Sequence, residues 1–155
     1  MLSTLSAEFT GGFNVVPLPI TILRMVAAIV LGGVIGWERH VHSKAAGLRT
    51  HMLVSLSACL FTLIAFELTG FSAVNPDAIR IDPLRLISAV TSGVAFLAAG
   101  TIIVAQHKVR GLTTGAGMWT AGAIGLACGS GHILLAIMAS ILALIVLALL
   151  RRIEH

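Results

Sequence analysis

Two groups of side chains in this sequence have the types and spacing for chemistry. The carboxylates Glu67, near the end of the second apolar run, and Asp77 and Asp82, between the second and third, lie close to Arg85. Magnesium takes six oxygens in near-octahedral geometry and keeps several waters, so two or three carboxylates suffice for a cation or proton site. Asp82-Pro83 also reads as a helix start, with aspartate as cap and proline in the first turn. The second group is basic. Lys44 to Thr50 reads KAAGLRT and Lys108 to Thr114 reads KVRGLTT, so both fit K-x-x-G-L-x-T, 64 residues apart. Gly47 and Gly111 can accept a positive φ, and Thr50 and Thr113, at or next to a helix start, can cap free amides. Two readings fit these elbows. One is a charged, capped re-entry turn. The other is an anion or partner site, in which Arg39, Lys44, Arg49, Lys108 and Arg110 add donors to helix amino termini that already favour anions. Phospholipid head groups, a phosphate metabolite or an acidic partner segment would all suit it.

Arg24 falls about seven residues inside the first apolar run, roughly 10 Å along its axis, where an unpaired arginine is costly. Glu67 or Asp82 would supply a structural ion pair; a proton or ion pathway is the alternative. Glu38 closes the first run beside Trp37, an interfacial anchor by type, and can neutralise Arg49 or Lys44. His40, His42, His51 and His107 group with the elbows, where imidazole can sense acid pH; solvated loop histidine is the plainer reading. Cys59 and Cys128 lie about 8 and 15 residues into their runs, a depth difference of roughly 10 Å that argues against a bridge and for small buried thiols. The sequence has no nucleophile with adjacent histidine and acid, no HExxH, no GxxxxGK[ST] and no tyrosine, so no enzyme is expected.

The elements that must position these residues follow from composition. A chain of 155 residues that is 57% hydrophobic and 10% charged, with mean hydropathy +1.03, lies outside the soluble globular range. Five apolar runs, Pro17 to Trp37, His51 to Leu68, Leu84 to Gln106, Thr113 to Gly129 and His132 to Leu150, approach the roughly 20 helical residues that cross a hydrocarbon core. The expected fold is therefore all-α: a polytopic integral membrane protein with five transmembrane helices over 17–150, a short outer segment 1–16 and a basic tail 151–155. The start MLSTLSAEFT has no positive n-region, so the first helix is expected to stay. Seven of the ten lysines and arginines (Arg39, Lys44, Arg49, Lys108, Arg110, Arg151, Arg152) fall in the two elbows and the tail, which puts those segments in the cytoplasm and the amino terminus outside. The net charge of +4 then reports topology, with no nucleic-acid partner implied.

The 64-residue offset also aligns Gly36 with Gly100, so helices 1-2 and 3-4 read as a parallel hairpin repeat. Seven of the 21 residues from Gly111 to Gly131 are glycine, including Gly111-xxx-Gly115 and Gly125-xxx-Gly129, and Gly32-xxx-Gly36 stands in the first helix. Small residues at this spacing let helices approach closely. The fourth helix should thus be central, with Trp119 packed beside its gaps. The fifth, large and apolar, should meet lipid or a second copy in a homodimer.

The stretches GGVIGWER, AGLRTHMLVSLSACLF, DPLRLISAVTSGVAFLAAGTI and VRGLTTGAGMWTAGAIGLACGSG, in this order from about Met25 to Ala143, resemble the membrane domain of the MgtC/SapB family. Alanine stands at Ala95 and Ala98 where that family commonly has glycine, and Gly115 where it commonly has alanine; the soluble carboxy-terminal domain of many relatives is not expected here. The resemblance implies a multi-pass protein of the bacterial inner membrane, tied to growth under magnesium limitation and, in pathogens, to virulence through survival inside macrophages. It implies regulation, with the ATP synthase or membrane-bound sensor proteins such as sensor kinases as partners, and magnesium transport as the alternative. Mg2+ is the one ion it brings up.

Overall fold

A computed structural model describes residues 13–72, 82–105 and 108–153. Asp77, Arg80, His107 and most of the expected outer segment lie outside the described residues. The five apolar runs become five helices: α1 Leu18–Val41, α2 Leu48–Ser72, α3 Pro83–Ala99, α4 Leu112–Gly129 and α5 Ile133–Ile153. By length and composition α1 and α2 can each cross a membrane, and Leu84–Ala99 and Ile133–Leu149 are shorter apolar helical stretches.

Local chemistry sets the ends. Pro19 sits in the first turn of α1, where a missing N–H costs nothing. Asp82 caps α3 as the sequence implies, its Oδ1 accepting from the Leu84 N–H at 2.9 Å, with Pro83 opening the helix. The third run does not stay helical to Gln106. Helix α3 stops at Ala99, with Gly100 as its cap, and Ile103–Ala105 (β1) pairs antiparallel with Lys108–Arg110 (β2), Ile103 opposite Arg110 and Ala105 opposite Lys108. β-Branched Ile102, Ile103 and Val104 favour extended backbone, so a small ribbon stands between α3 and the next helix. Gly111 then starts α4 at φ +89°, and a Cβ there would run into the Thr101 carbonyl oxygen. No side chain caps α4; Thr113 lies inside its first turn, which corrects the capping role expected of it.

The far end of α4 is closed by backbone. Gly131, at φ +85°, donates to the Cys128 carbonyl at 3.0 Å and His132 to Ala127 at 2.8 Å, the paired bonds of a Schellman turn.

Helix α4 packs against each of the other four helices and lies between two apolar clusters. One joins Ala28, Ile35, Cys59, Leu63, Ile124, Cys128 and Ala136; the other joins Val54, Ala58, Val90, Val94, Met118 and Ala121. Without a hydrophobic drive between helices in lipid, association rests on close packing, and glycine supplies it. A Cβ on Gly125 would collide with the Ser55 carbonyl oxygen, one on Gly129 would come within 2.7 Å of the Cys59 carbonyl, and one on Gly32 within 2.6 Å of Ser55 Cβ. Trp119 does not fill such a gap: it is 50% exposed and faces outward. Along α5, Leu134, Leu135, Met138, Ile141 and Leu142 are exposed, an apolar outer face as the sequence suggests.

The contacts also fix direction. Gly36 lies on Leu48 and Gly32 on Ser55, so α1 and α2 are antiparallel; Ser55 meets Gly125 and Cys59 meets Gly129, so α2 and α4 are parallel. Gly115 and Gly122 meet Ala98 and Val94, so α3 runs against α4. Both elbows therefore lie at one end of the bundle, called here the basic end. The α2 and α4 levels match at an offset of 70, although the helices start 64 residues apart. A stagger of about six residues is about 9 Å. It cancels the depth difference inferred for Cys59 and Cys128, which both lie fully buried in one core cluster as free thiols.

Candidate functional site

At the basic end three helices bring polar side chains into the core. The last turns of α1 carry Glu38, Arg39 and His42; the first turns of α2 carry His51 and Ser55; α4 supplies Thr114 and Gly117. Arg39 is only 3% exposed, although its place in the sequence is that of a loop cation. Its Nε donates to the Glu38 carboxylate. Glu38 Oε1 also lies 3.2 Å from His42 Nδ1. Glu38 therefore serves Arg39 and His42, where Arg49 or Lys44 was expected. A buried arginine without such a carboxylate would leave an uncompensated charge, so the Glu38-Arg39 dipeptide enters the core as a unit.

His51 is fully buried, which corrects its reading as a solvated loop residue. Its Nδ1 lies 2.8 Å from the Gly47 carbonyl, so that nitrogen carries the proton and Nε2 is the acceptor. Among the described residues Nε2 and the buried Ser55 Oγ have no hydrogen-bond partner. A Cβ on Gly117 would stand 3.1 Å from Nε2, so the α4 backbone passes directly over the imidazole. The sequence did carry a signal for this. His51, Ser55, Cys59 and Thr62 form a stripe of small or polar residues on a helix whose other faces present Leu53, Leu60, Phe61 and Ile64. Such a stripe on an apolar helix marks the face turned toward protein.

The remaining elbow residues stay outside. Lys44, Arg49, Lys108, Arg110 and Thr113 are exposed and Thr50 is half-buried. Four cations thus line the basic end while Arg39 is withdrawn from them. Gly47 shows an ordinary backbone, with a Cβ position 3.4 Å from His40, so only Gly111 uses the positive φ allowed for both.

At the opposite end Glu67 accepts three successive amides, from Asn14 at 3.0 Å, Val15 at 3.2 Å and Val16 at 2.8 Å. It ties the entry of α1 to the end of α2. Asp82 is the α3 cap, and Asp77 lies outside the described residues. Among the described residues no three His, Cys, Asp or Glu side chains are grouped to hold a metal. Arg24 finds neither expected carboxylate. Its Nη1 donates to the Gly129 carbonyl at 2.8 Å. The Schellman turn leaves that carbonyl over, and a cation at a helix carboxy terminus also meets the negative end of the macrodipole.

Comparison with known proteins gives the chain a family. A sequence model of the MgtC family matches residues 25–155. YhiD of Escherichia coli K12, provisionally named a magnesium transporter, is 40% identical over 127 residues, which cover 81% of this chain and 58% of that protein. Protein MgtC of Brucella abortus is 38% identical over 135 residues, 87% of this chain and 53% of the relative, and an uncharacterized Haemophilus influenzae protein is 36% identical over 123. The chain spans about half the length of the curated relatives it matches. No solved structure matches it. With its apolar helices, its glycine-paired core and this extent of similarity, the chain belongs to the MgtC family.

Proposed function

We propose that this protein is a regulator in the bacterial inner membrane, linked to adaptation to low magnesium, that acts by binding other membrane complexes at its basic end. The observation that carries the reading is the contrast between engaged carboxylates and exposed cations. Glu38 serves Arg39 and His42, Glu67 holds three backbone amides, and Asp82 caps α3. These are poor candidates for a route of oxygen ligands. Lys44, Arg49, Lys108 and Arg110 are exposed at the end where both elbows emerge, suited to an acidic segment of a partner. By family resemblance the ATP synthase or a membrane sensor protein is the partner class, and survival of pathogens inside macrophages is the setting in which such control matters.

Crosslinking followed by capture of the full chain from magnesium-starved cells tests the proposal. The expected result is recovery of one membrane complex with the native chain and its loss when Arg49 and Arg110 are both changed to glutamate while the protein remains folded and in the membrane. A second reading, magnesium transport, has the name of the Escherichia coli relative in its favour. Saturable magnesium flux into sealed vesicles holding the purified chain, removed by Asp82→Asn, would replace the first reading with the second.

A further inference from the structure

Helix α3 packs on α4 and barely touches α2, leaving a furrow of about 520 Å³ between α2 and α3. That volume is within the range of about 300–1,000 Å³ typical of ligand sites. Its walls are two matched stripes at four-residue spacing: Leu53, Ser57 and Phe61 on α2, and Ala89, Gly93 and Leu97 on α3. All six are exposed. In each stripe a small residue, Ser57 or Gly93, stands at the centre. Gly93 is the informative one. Glycine is the least favourable ordinary residue in a helix interior, yet a Cβ at Gly93 would meet nothing within 4 Å. Close helix packing, which explains Gly32 and Gly125, does not explain Gly93. Room in the furrow does.

Charge and length identify the occupant. Arg49 and Thr50 line the mouth at the basic end, where the amino terminus of the 25-residue α2 also favours an anion. From Arg49 to Phe61 the furrow runs about 18 Å along α2 at 1.5 Å per residue. One leaflet of a hydrocarbon core is about 15 Å deep. An anion joined to an alkyl chain of one leaflet's length is an anionic phospholipid. We propose that the α2–α3 furrow holds one anionic phospholipid of the leaflet at the basic end, its phosphate against Arg49 and the first turn of α2 and an acyl chain lying over Ser57 and Gly93.

This site shares Arg49 with the partner surface proposed above but is otherwise separate, its walls being uncharged residues of α2 and α3; lipid retention by the purified chain is read with no partner present, so either proposal can fail alone. The test is native mass spectrometry of the full chain released from vesicles of equal phosphatidylglycerol and phosphatidylcholine. The wild type is expected to retain one phosphatidylglycerol per chain, at least about fivefold over phosphatidylcholine, the factor that one basic residue near a membrane surface supplies. Arg49→Gln should bring the two lipids level. Gly93→Leu should abolish retention of both, and Ser57→Leu, which fills the furrow from the other wall, gives the same readout if Gly93→Leu fails to fold. Equal retention of the two lipids by the wild type would overturn the proposal, as would folded Gly93→Leu or Ser57→Leu protein that keeps the preference. A lipid-free dimer split by Gly93→Leu would assign the furrow to a second copy and overturn it too.

Discussion

The two elbows share K-x-x-G-L-x-T and precede helices that start at Leu48 and Leu112, yet they are built on different physics. The first is a turn between helices of 24 and 25 residues, with Arg39 and His51 buried beneath it and Glu38 half-buried beside them. The second joins helices of 17 and 18 residues through an exposed ribbon, and its described charges, Lys108 and Arg110, are exposed. In the first the glycine is conformationally ordinary; in the second it is indispensable. The same motif thus precedes two helix starts that stand about six residues apart in level, one elbow resting on buried charge pairing and the other on backbone conformation.

The sharpest way to break this comparison is to remove the cation from each elbow. Arg39→Ala removes the buried member of the Glu38–Arg39 ion pair, and loss of one member of a buried pair costs about 3–5 kcal/mol. Arg110→Ala, at an exposed position, should change stability little. Unfolding of both variants in detergent, followed by circular dichroism, measures the difference; equal effects would show that the first elbow is no more a part of the core than the second.

Exchanging the glycines inverts the asymmetry. Gly111→Ala must hold alanine at φ +89° with its Cβ against the Thr101 carbonyl, so it is expected to cost about 2 kcal/mol or more and to displace the ribbon. Gly47→Ala meets ordinary contact distances and should stay within about 0.5 kcal/mol. Limited proteolysis across 100–111 and 42–47 reads both. Cleavage that rises equally in the two variants would mean that the elbows share one backbone requirement.

How much of this was legible in the sequence depends on whether local chemistry decided the outcome. The five helices, the Asp82-Pro83 start and the close approach at Gly32 and Gly125 were legible because apolar runs, caps and small residues act over a few positions. The ribbon was not, since Ile103 and Val104 continue an apolar run and only their β-branching argues against helix. The paired or buried residues were harder still. Arg24 was matched to a carboxylate because sequence shows charges and hides backbone carbonyls, and the free acceptor at Gly129 exists only once the Schellman turn has used its neighbours. Arg39 and His51 looked solvated because the elbow was read as a surface loop. Their burial follows from the stagger of α4, which extends about 9 Å past the start of α2 and covers it, a quantity set by the fit of Gly125 on Ser55 and written in neither helix alone.

Arg24 ties the two halves together, a residue of the first hairpin completing the last helix of the second. Arg24→Ala should cost about 1.5–3 kcal/mol, the value of a hydrogen bond to a charged group. Arg24→Lys should recover part of it, because an ammonium can still meet the helix terminus but lacks the fork. Amide exchange at Ser130, Gly131 and His132 is the direct readout, since their bonds close the same turn. A variant that loses partner binding while those amides stay protected would move Arg24 from structure to function.

The smallest expected difference lies at the helix starts of the second hairpin. Asp82→Ala removes a side chain that accepts from Leu84, a cap worth about 1 kcal/mol. Thr113→Ala removes a hydroxyl from a helix that has no side-chain cap, and should be nearly silent. Exchange at the Leu84 amide should speed up in the first variant, while the first-turn amides of α4 should keep their rate in the second. If Thr113→Ala loosened α4 as much as Asp82→Ala loosens α3, threonine would be holding the second elbow after all. The division between a start set by a side chain and one set by the left-handed Gly111 would then fail.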